Sequence, residues 1–254
     1  MKNLVLSELK RVFFRKKFLA LIFVSIMYLV LSAGLMLVCR VGFYDPNITM
    51  EVNRLNFSVH LLRDFHFYFL IVLFPIIFVE CFCGEIASGK FRMFITRPYS
   101  KTKIILSKVI VGAIVSGIIL LGSLIIFTAL GYIKLPYVET TRFFNIDKEF
   151  TAIGSFIYSL KFYALEWFIL MGLMSIVATL SVLIRNSVVV FLGTIASIVF
   201  TLYISEKFLY FLESNKAIFD TLAGDGSFII YNGLVVIVGM VITVILFNKR
   251  DYLY

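Results

Sequence analysis

Apolar residues in this 254-residue chain come in unbroken runs about as long as a lipid bilayer is thick, and that feature limits the possible folds more than any other. A spanning helix needs roughly 18 to 20 consecutive, mostly apolar residues. Six stretches approach or exceed that length: 18–39, 65–83, 104–131, 162–183, 188–205 and 228–247. A membrane β-barrel would instead show segments of about ten residues with alternating polarity. These runs are continuously apolar, with Gly, Ser and Thr scattered along them as helix-packing residues. Hydrophobic residues make up 61% of the chain and charged residues 15%, which excludes an ordinary soluble domain. The expected fold class is an all-α membrane protein with six transmembrane helices, forming a single domain over residues 1–254.

The cations set the expected orientation, because Lys and Arg near helix ends stay on the cytoplasmic side. The N-terminal segment carries Lys2, Lys10, Arg11, Arg15, Lys16 and Lys17, and the loop between the second and third runs carries Lys90, Arg92, Arg97, Lys101, Lys103 and, just inside the next run, Lys108. Arg185 lies in the next even loop, and Lys249 and Arg250 lie near the end of the sequence. Only Glu8, Glu85 and Asp251 oppose them in those segments. Both termini are therefore expected in the cytoplasm, and the net charge of +9 is expected to face anionic headgroups, with no nucleic acid required. Twenty-eight Phe and 13 Tyr against one Trp suggest an AT-rich bacterial genome, hence a bacterial cytoplasmic membrane.

The first run is 22 residues long and no A-x-A site follows it, so it reads as an anchor and not as a cleaved signal. Before it, Leu4, Val5, Leu9, Val12 and Phe13 share a helix face apart from Lys10, Arg11 and Lys16, the pattern of an interfacial elbow helix over residues 1–17. Residues 40–64, 132–161 and 206–227 form the longer outer loops, rich in Phe and Tyr, and some of this chain is expected to dip back toward the bilayer.

No catalytic constellation stands out, and no metal or cofactor site is expected in the chain. His60 and His66 lack a carboxylate or Cys at ligand spacing. Cys81 and Cys83 lie roughly 200° apart around a helix and cannot converge on one ion. Gly84 to Lys90 fits the phosphate-loop pattern G-x-x-x-x-G-K, but Phe91 stands where a nucleotide site needs Ser or Thr, and the preceding run has helix length, not strand length. Glu80 and Glu166 lie within or at the edge of apolar runs, where an unpaired charge is costly, so each is expected to have a partner. For Glu80 that is an interfacial Arg or Lys, a role in coupling being the alternative. Glu166, beside Trp167, is expected either to line a transport path or dimer seam or to sit in an interfacial belt.

The segment from Phe78 to Lys101 resembles the first cytoplasmic loop of ABC transporter permeases of the type 2 exporter family. That loop has an acid, three residues, Gly, a short amphipathic helix, then a basic residue, Pro, one residue, Ser and a basic residue. Glu85, Gly89, Arg97, Pro98, Ser100 and Lys101 fill those places, whereas Lys90 stands where Thr is usual. A basic elbow, six runs, a long second-to-third loop and the pair Arg250-Asp251 extend the likeness along the chain.

The resemblance implies a coupling helix within residues 84–103 that docks on a separate ABC ATPase subunit. That subunit would hold ATP and Mg²⁺, so this chain would not itself be an enzyme. Glu85, Gly89, Phe91, Met93, Phe94, Arg97 and Pro98 would form the ATPase-coupling site. Met93, Phe94 and Ile95 suit such a site as apolar knobs and Arg92, Arg97 and Lys101 as a charged rim, while Pro98 ends the helix. The implied assembly is a dimer with a second permease copy or a paralogue. Its cargo would be lipophilic or amphipathic, such as an antimicrobial or surfactant-like peptide or a drug. A secondary transporter, or a membrane scaffold or regulator, is the competing class.

Overall fold

The computed structural model describes residues 1–45, 48–84 and 100–250. It is mostly helical, and among the described residues five helices are long and apolar enough to cross a membrane. Helix α1 (Lys2–Phe13) breaks at Phe14–Arg15 before α2 (Lys16–Cys39). Helix α3 (Phe57–Phe82) and α4 (Lys101–Lys134) flank residues 85–99. Then follow α5 (Ala152–Leu183), the shorter apolar helix α6 (Ser187–Ile204), a 3₁₀ turn (Glu206–Phe211), α7 (Ser214–Ala223) and α8 (Ser227–Lys249). The chain is thus a multi-pass helical membrane protein.

Two of the outer loops hold strands that the apolar pattern does not announce. Strand β1 (Val41–Asp45) pairs antiparallel with β2 (Ile48–Glu51), and β3 (Thr140–Phe143) with β4 (Ile146–Thr151). Arg40 takes left-handed angles (φ 52°) to turn the chain out of α2, and Asn145 does so (φ 61°) in the second hairpin. Polar and aromatic side chains, more than apolar alternation, hold these ribbons: Arg142 bridges to Glu149 at 2.7 Å, and Phe143 stacks on Tyr158 at 3.8 Å between centroids.

Two helices start well before the apolar runs that signal them. Helix α3 begins at Phe57, directly after a turn that Asn53 and Asn56 hold with their side chains: Asn53 Oδ1 accepts from the amides of Leu55 and Asn56, and Asn56 Oδ1 accepts from the Asn53 amide at 2.8 Å. Asn56 is fully buried, so the Asn56-Phe57-Ser58 sequon is not presented to solvent. Helix α5 begins at Ala152, directly after β4, and Tyr158 in its second turn packs on Phe143 and Phe150 of the second hairpin. A π-helical turn, Phe69–Leu73, interrupts α3 just before Pro75.

The core lies along α3 and α5. Their apolar windows are 72% and 67% buried, against 11% for both α2 and α8, whose outer faces are left for lipid. Helices α5 and α8 meet along a seam of small residues, the arrangement that lets membrane helices approach closely. Ser175 Oγ donates to the Val235 carbonyl at 3.1 Å, and Thr179 Oγ1 reaches the Gly239 carbonyl at 3.1 Å and Thr243 Oγ1 at 3.0 Å. A Cβ at Gly172 would collide with Asn232 Oδ1. Gly172→Ala is therefore expected to cost about 1–3 kcal/mol through overpacking, read as a lower midpoint in SDS-induced unfolding of the purified protein.

At the end opposite the basic residues, the hairpins, the 3₁₀ turn and α7 form an aromatic cap. Phe144, Phe162 and Phe219 pack together, and His60 lies among them, buried and with no hydrogen-bond partner for either ring nitrogen. Asp220 joins the two hairpins by accepting from Tyr44 Oη at 2.6 Å and Asn145 Nδ2 at 2.7 Å.

Candidate functional site at the basic end

Helix α1 places one carboxylate among its cations, and the fold turns that carboxylate inward. Leu4, Glu8 and Val12 recur every four residues on the buried face, so Glu8 is only 3% exposed. It pairs with Arg11 one turn on and faces Lys108 Nζ of α4 at 3.7 Å. Lys108 is 1% exposed, and its ammonium donates to the Cys81 carbonyl near the end of α3 at 2.9 Å. Burial holds the Arg11 guanidinium below its ordinary pKa, and the Glu8 carboxylate opposes that shift.

A second pair fastens α3 to the start of α2. Arg15 bonds the Glu80 carboxylate, and Lys17 Nζ approaches its other oxygen at 3.4 Å. Glu80 thus has the interfacial cationic partners that its position calls for. Cys83 Sγ donates to the Ile184 carbonyl at 3.7 Å, which ties the end of α3 to the link between α5 and α6. On the far side of residues 85–99, Lys101 Nζ at the start of α4 donates to the Arg250 carbonyl at 2.9 Å, while Thr102 and Asn248 exchange side-chain hydrogen bonds. Ser100 caps α4 by accepting from the Lys103 amide at 3.4 Å.

Both chain ends that border residues 85–99 are therefore anchored to other helices. Glu85, Gly89, Phe91, Met93, Phe94, Arg97 and Pro98, the coupling residues implied by the resemblance, lie outside the described residues. The neighbouring Gly84, Ser100 and Lys101 are described, and Lys101 belongs to the anchorage.

The two intramembrane residues Glu166 and Trp167 part company. Helix α5 starts early enough that Glu166 falls near its middle. There it is fully buried against α3, with Oε1 2.6 Å from His66 Nδ1. His66 Nε2 reaches the Phe211 carbonyl at 2.8 Å, so the 3₁₀ turn dips into the bundle. Trp167 is 38% exposed. Its indole donates to the Ala113 carbonyl and to Ser116 Oγ, both at 3.1 Å, beside an apolar cavity of about 270 Å³ between α4 and α5.

Glu8, Lys108, His66 and Asn232 carry polar chemistry that linear spacing does not connect. The available signal is isolation: Glu8 is the one acid in a basic helix, and Lys108 is a cation inside an apolar run. Their partners lie far away in sequence, so only the packing identifies them. Among the described residues no group of three or more His, Cys, Asp or Glu could hold a metal ion. The three cysteines are free thiols, with Cys81 and Cys83 buried and Cys39 exposed. No protein-family model matches this chain, and no curated protein matches it in sequence.

Proposed function

We propose that this chain is the membrane-spanning subunit of an ATP-driven exporter resembling the type 2 ABC permeases. In this reading α6 is the sixth span, α1 is the interfacial elbow, and residues 84–103 face the cytoplasm of a bacterial cell as the lever on a separate ATPase subunit. ATP and Mg²⁺ belong to that partner, and a second permease copy or a paralogue completes the dimer. The cargo is a lipophilic or amphipathic molecule leaving from the bilayer.

The observation that carries this reading is the double anchorage around residues 85–99. A lever transmits force only if its mounts resist it, and here the mounts are the buried Glu8–Lys108 contact on one side of the elbow and the Arg15–Glu80 pair on the other. An idle basic linker would need neither. Affinity purification from native membranes in mild detergent tests the proposal: an ATPase subunit is expected to copurify with the wild-type chain. A chain that never associates with a nucleotide-hydrolysing partner is not such a permease.

One observation favours a second reading, an ion-coupled secondary transporter. The π-helical turn in α3 lies one turn from the buried His66–Glu166 pair, and helix irregularity beside an intramembrane charge is common in that class. Transport sustained by an ion gradient, without an ATPase partner, would select it.

A further inference from the structure

Hydrogen-bond chemistry alone counts the protons held by the bridge between α3 and α5. The Phe211 carbonyl can only accept, so His66 Nε2, 2.8 Å away, carries a hydrogen. The 2.6 Å gap between His66 Nδ1 and Glu166 Oε1 holds one more. That hydrogen sits either on nitrogen, making imidazolium beside carboxylate, or on oxygen, making neutral imidazole beside carboxylic acid. The two forms contain the same protons and have no net charge, so the bridging hydrogen belongs to the pair and not to either residue. Glu166 Oε2 is buried with no hydrogen-bond partner, leaving one further place for a proton.

We propose that His66 and Glu166 form a proton-binding site inside the bundle, and that its occupancy controls the grip on the 3₁₀ turn through Phe211. A second proton on Oε2 leaves imidazolium beside a neutral acid, and a net positive charge in a buried site. Removing the bridging proton sets the Nδ1 lone pair against a carboxylate, and leaves a net negative charge. Only the singly bridged state is electrically closed. In either other state water must enter between α3, α5 and the 3₁₀ turn, releasing the Phe211 carbonyl and loosening the cap.

The surrounding groups leave this proton count to the pair itself. On α3 the nearest charges, Arg63 and Asp64, are part-exposed and lie 3.6 Å from each other. Helix α5 contributes Tyr163, whose hydroxyl donates to the Ser58 carbonyl at 3.1 Å, and the exposed Lys161. From the 3₁₀ turn come Tyr210, donating to Asn232 Oδ1 at 3.3 Å, and the exposed Glu206 and Lys207. Helix α8 offers the uncharged Asn232, which donates to the Phe168 carbonyl at 2.6 Å. Lys108 of α4 is held by Glu8 at the basic end, and of α7's charges Asp220 is held by Tyr44 and Asn145 while Lys216 is exposed.

The test uses the purified full chain in lipid nanodiscs and does not depend on the exporter reading, since no ATPase or cargo enters it. Hydrogen–deuterium exchange of the Ser205–Glu213 amides is followed against pH and corrected for intrinsic exchange. The single Trp167, adjacent to Glu166, supplies a parallel fluorescence signal. Exchange is expected to rise about tenfold on leaving the bridged state in either direction, as one charge-assisted hydrogen bond is lost. Glu166→Gln is expected to lose the high-pH opening, because its amide donates to Nδ1 while Nε2–H stays on Phe211 and there is no bridging acid proton to remove. Glu166→Ala is expected to exchange fast even at neutral pH. Wild-type exchange that stays flat from about pH 4 to 10 overturns the proposal without any variant, and so does a high-pH opening retained in Glu166→Gln.

Discussion

Glu8→Leu is expected to destabilise the protein by about 3–5 kcal/mol, because it removes the carboxylate that faces a buried ammonium. Lys108 is 1% exposed, and its ammonium lies in the low-dielectric junction of α1, α3 and α4. The Cys81 carbonyl solvates that charge but does not neutralise it. Adding Lys108→Met to Glu8→Leu should recover much of the loss, since replacing both members of a buried ion pair with apolar groups is often neutral or stabilising. The non-additivity in SDS unfolding midpoints is the measurement, because contacting residues couple and distant ones do not. If the two single losses simply sum in the double variant, the 3.7 Å approach of Glu8 to Lys108 contributes nothing.

Glu85→Ala combined with Phe94→Ala should weaken association with the proposed ATPase partner at least tenfold, by roughly 2 kcal/mol or more, the size of losing an interface hot spot. Transport should fall with it. The double variant leaves Glu8, Lys108, Arg15 and Glu80 themselves unchanged, so abundance, dimerisation and SDS stability should remain at wild-type values. Partner capture and stability assayed on the same preparations distinguish a lost docking surface from a loosened lever mount. Wild-type transport in this double variant would rule out residues 84–103 as a coupling element.

The charged pairs show where linear reading stops. That Glu80 and Glu166 each needed a partner follows from the cost of an isolated charge in an apolar run. For Glu80 the kind of partner was also legible, because cations crowd the same end of the chain and Arg15 and Lys17 belong to that crowd. For Glu166 it was not. His66 shares no periodicity or motif with it, and the two meet only because α5 begins at Ala152 and carries Glu166 to the depth of His66. Helix starts were hard to read for a related reason: the turn held by Asn53 and Asn56, and the end of β4, lead the chain into a helix before its longest apolar run begins.

Hydrophobic run length determined on its own that this is a multi-pass helical membrane protein, because in lipid every backbone amide must be satisfied within its own segment and a helix does so locally. The clustering of cations likewise needed no fold to be visible. Tertiary structure alone decided that Glu8 turns inward onto Lys108, that the 3₁₀ turn reaches His66, and that α3 and α5 form the core while α2 and α8 face lipid. Apolar residues look alike whether they meet lipid or another helix, and the difference is made by small residues and scattered polar groups whose partners are chosen in three dimensions.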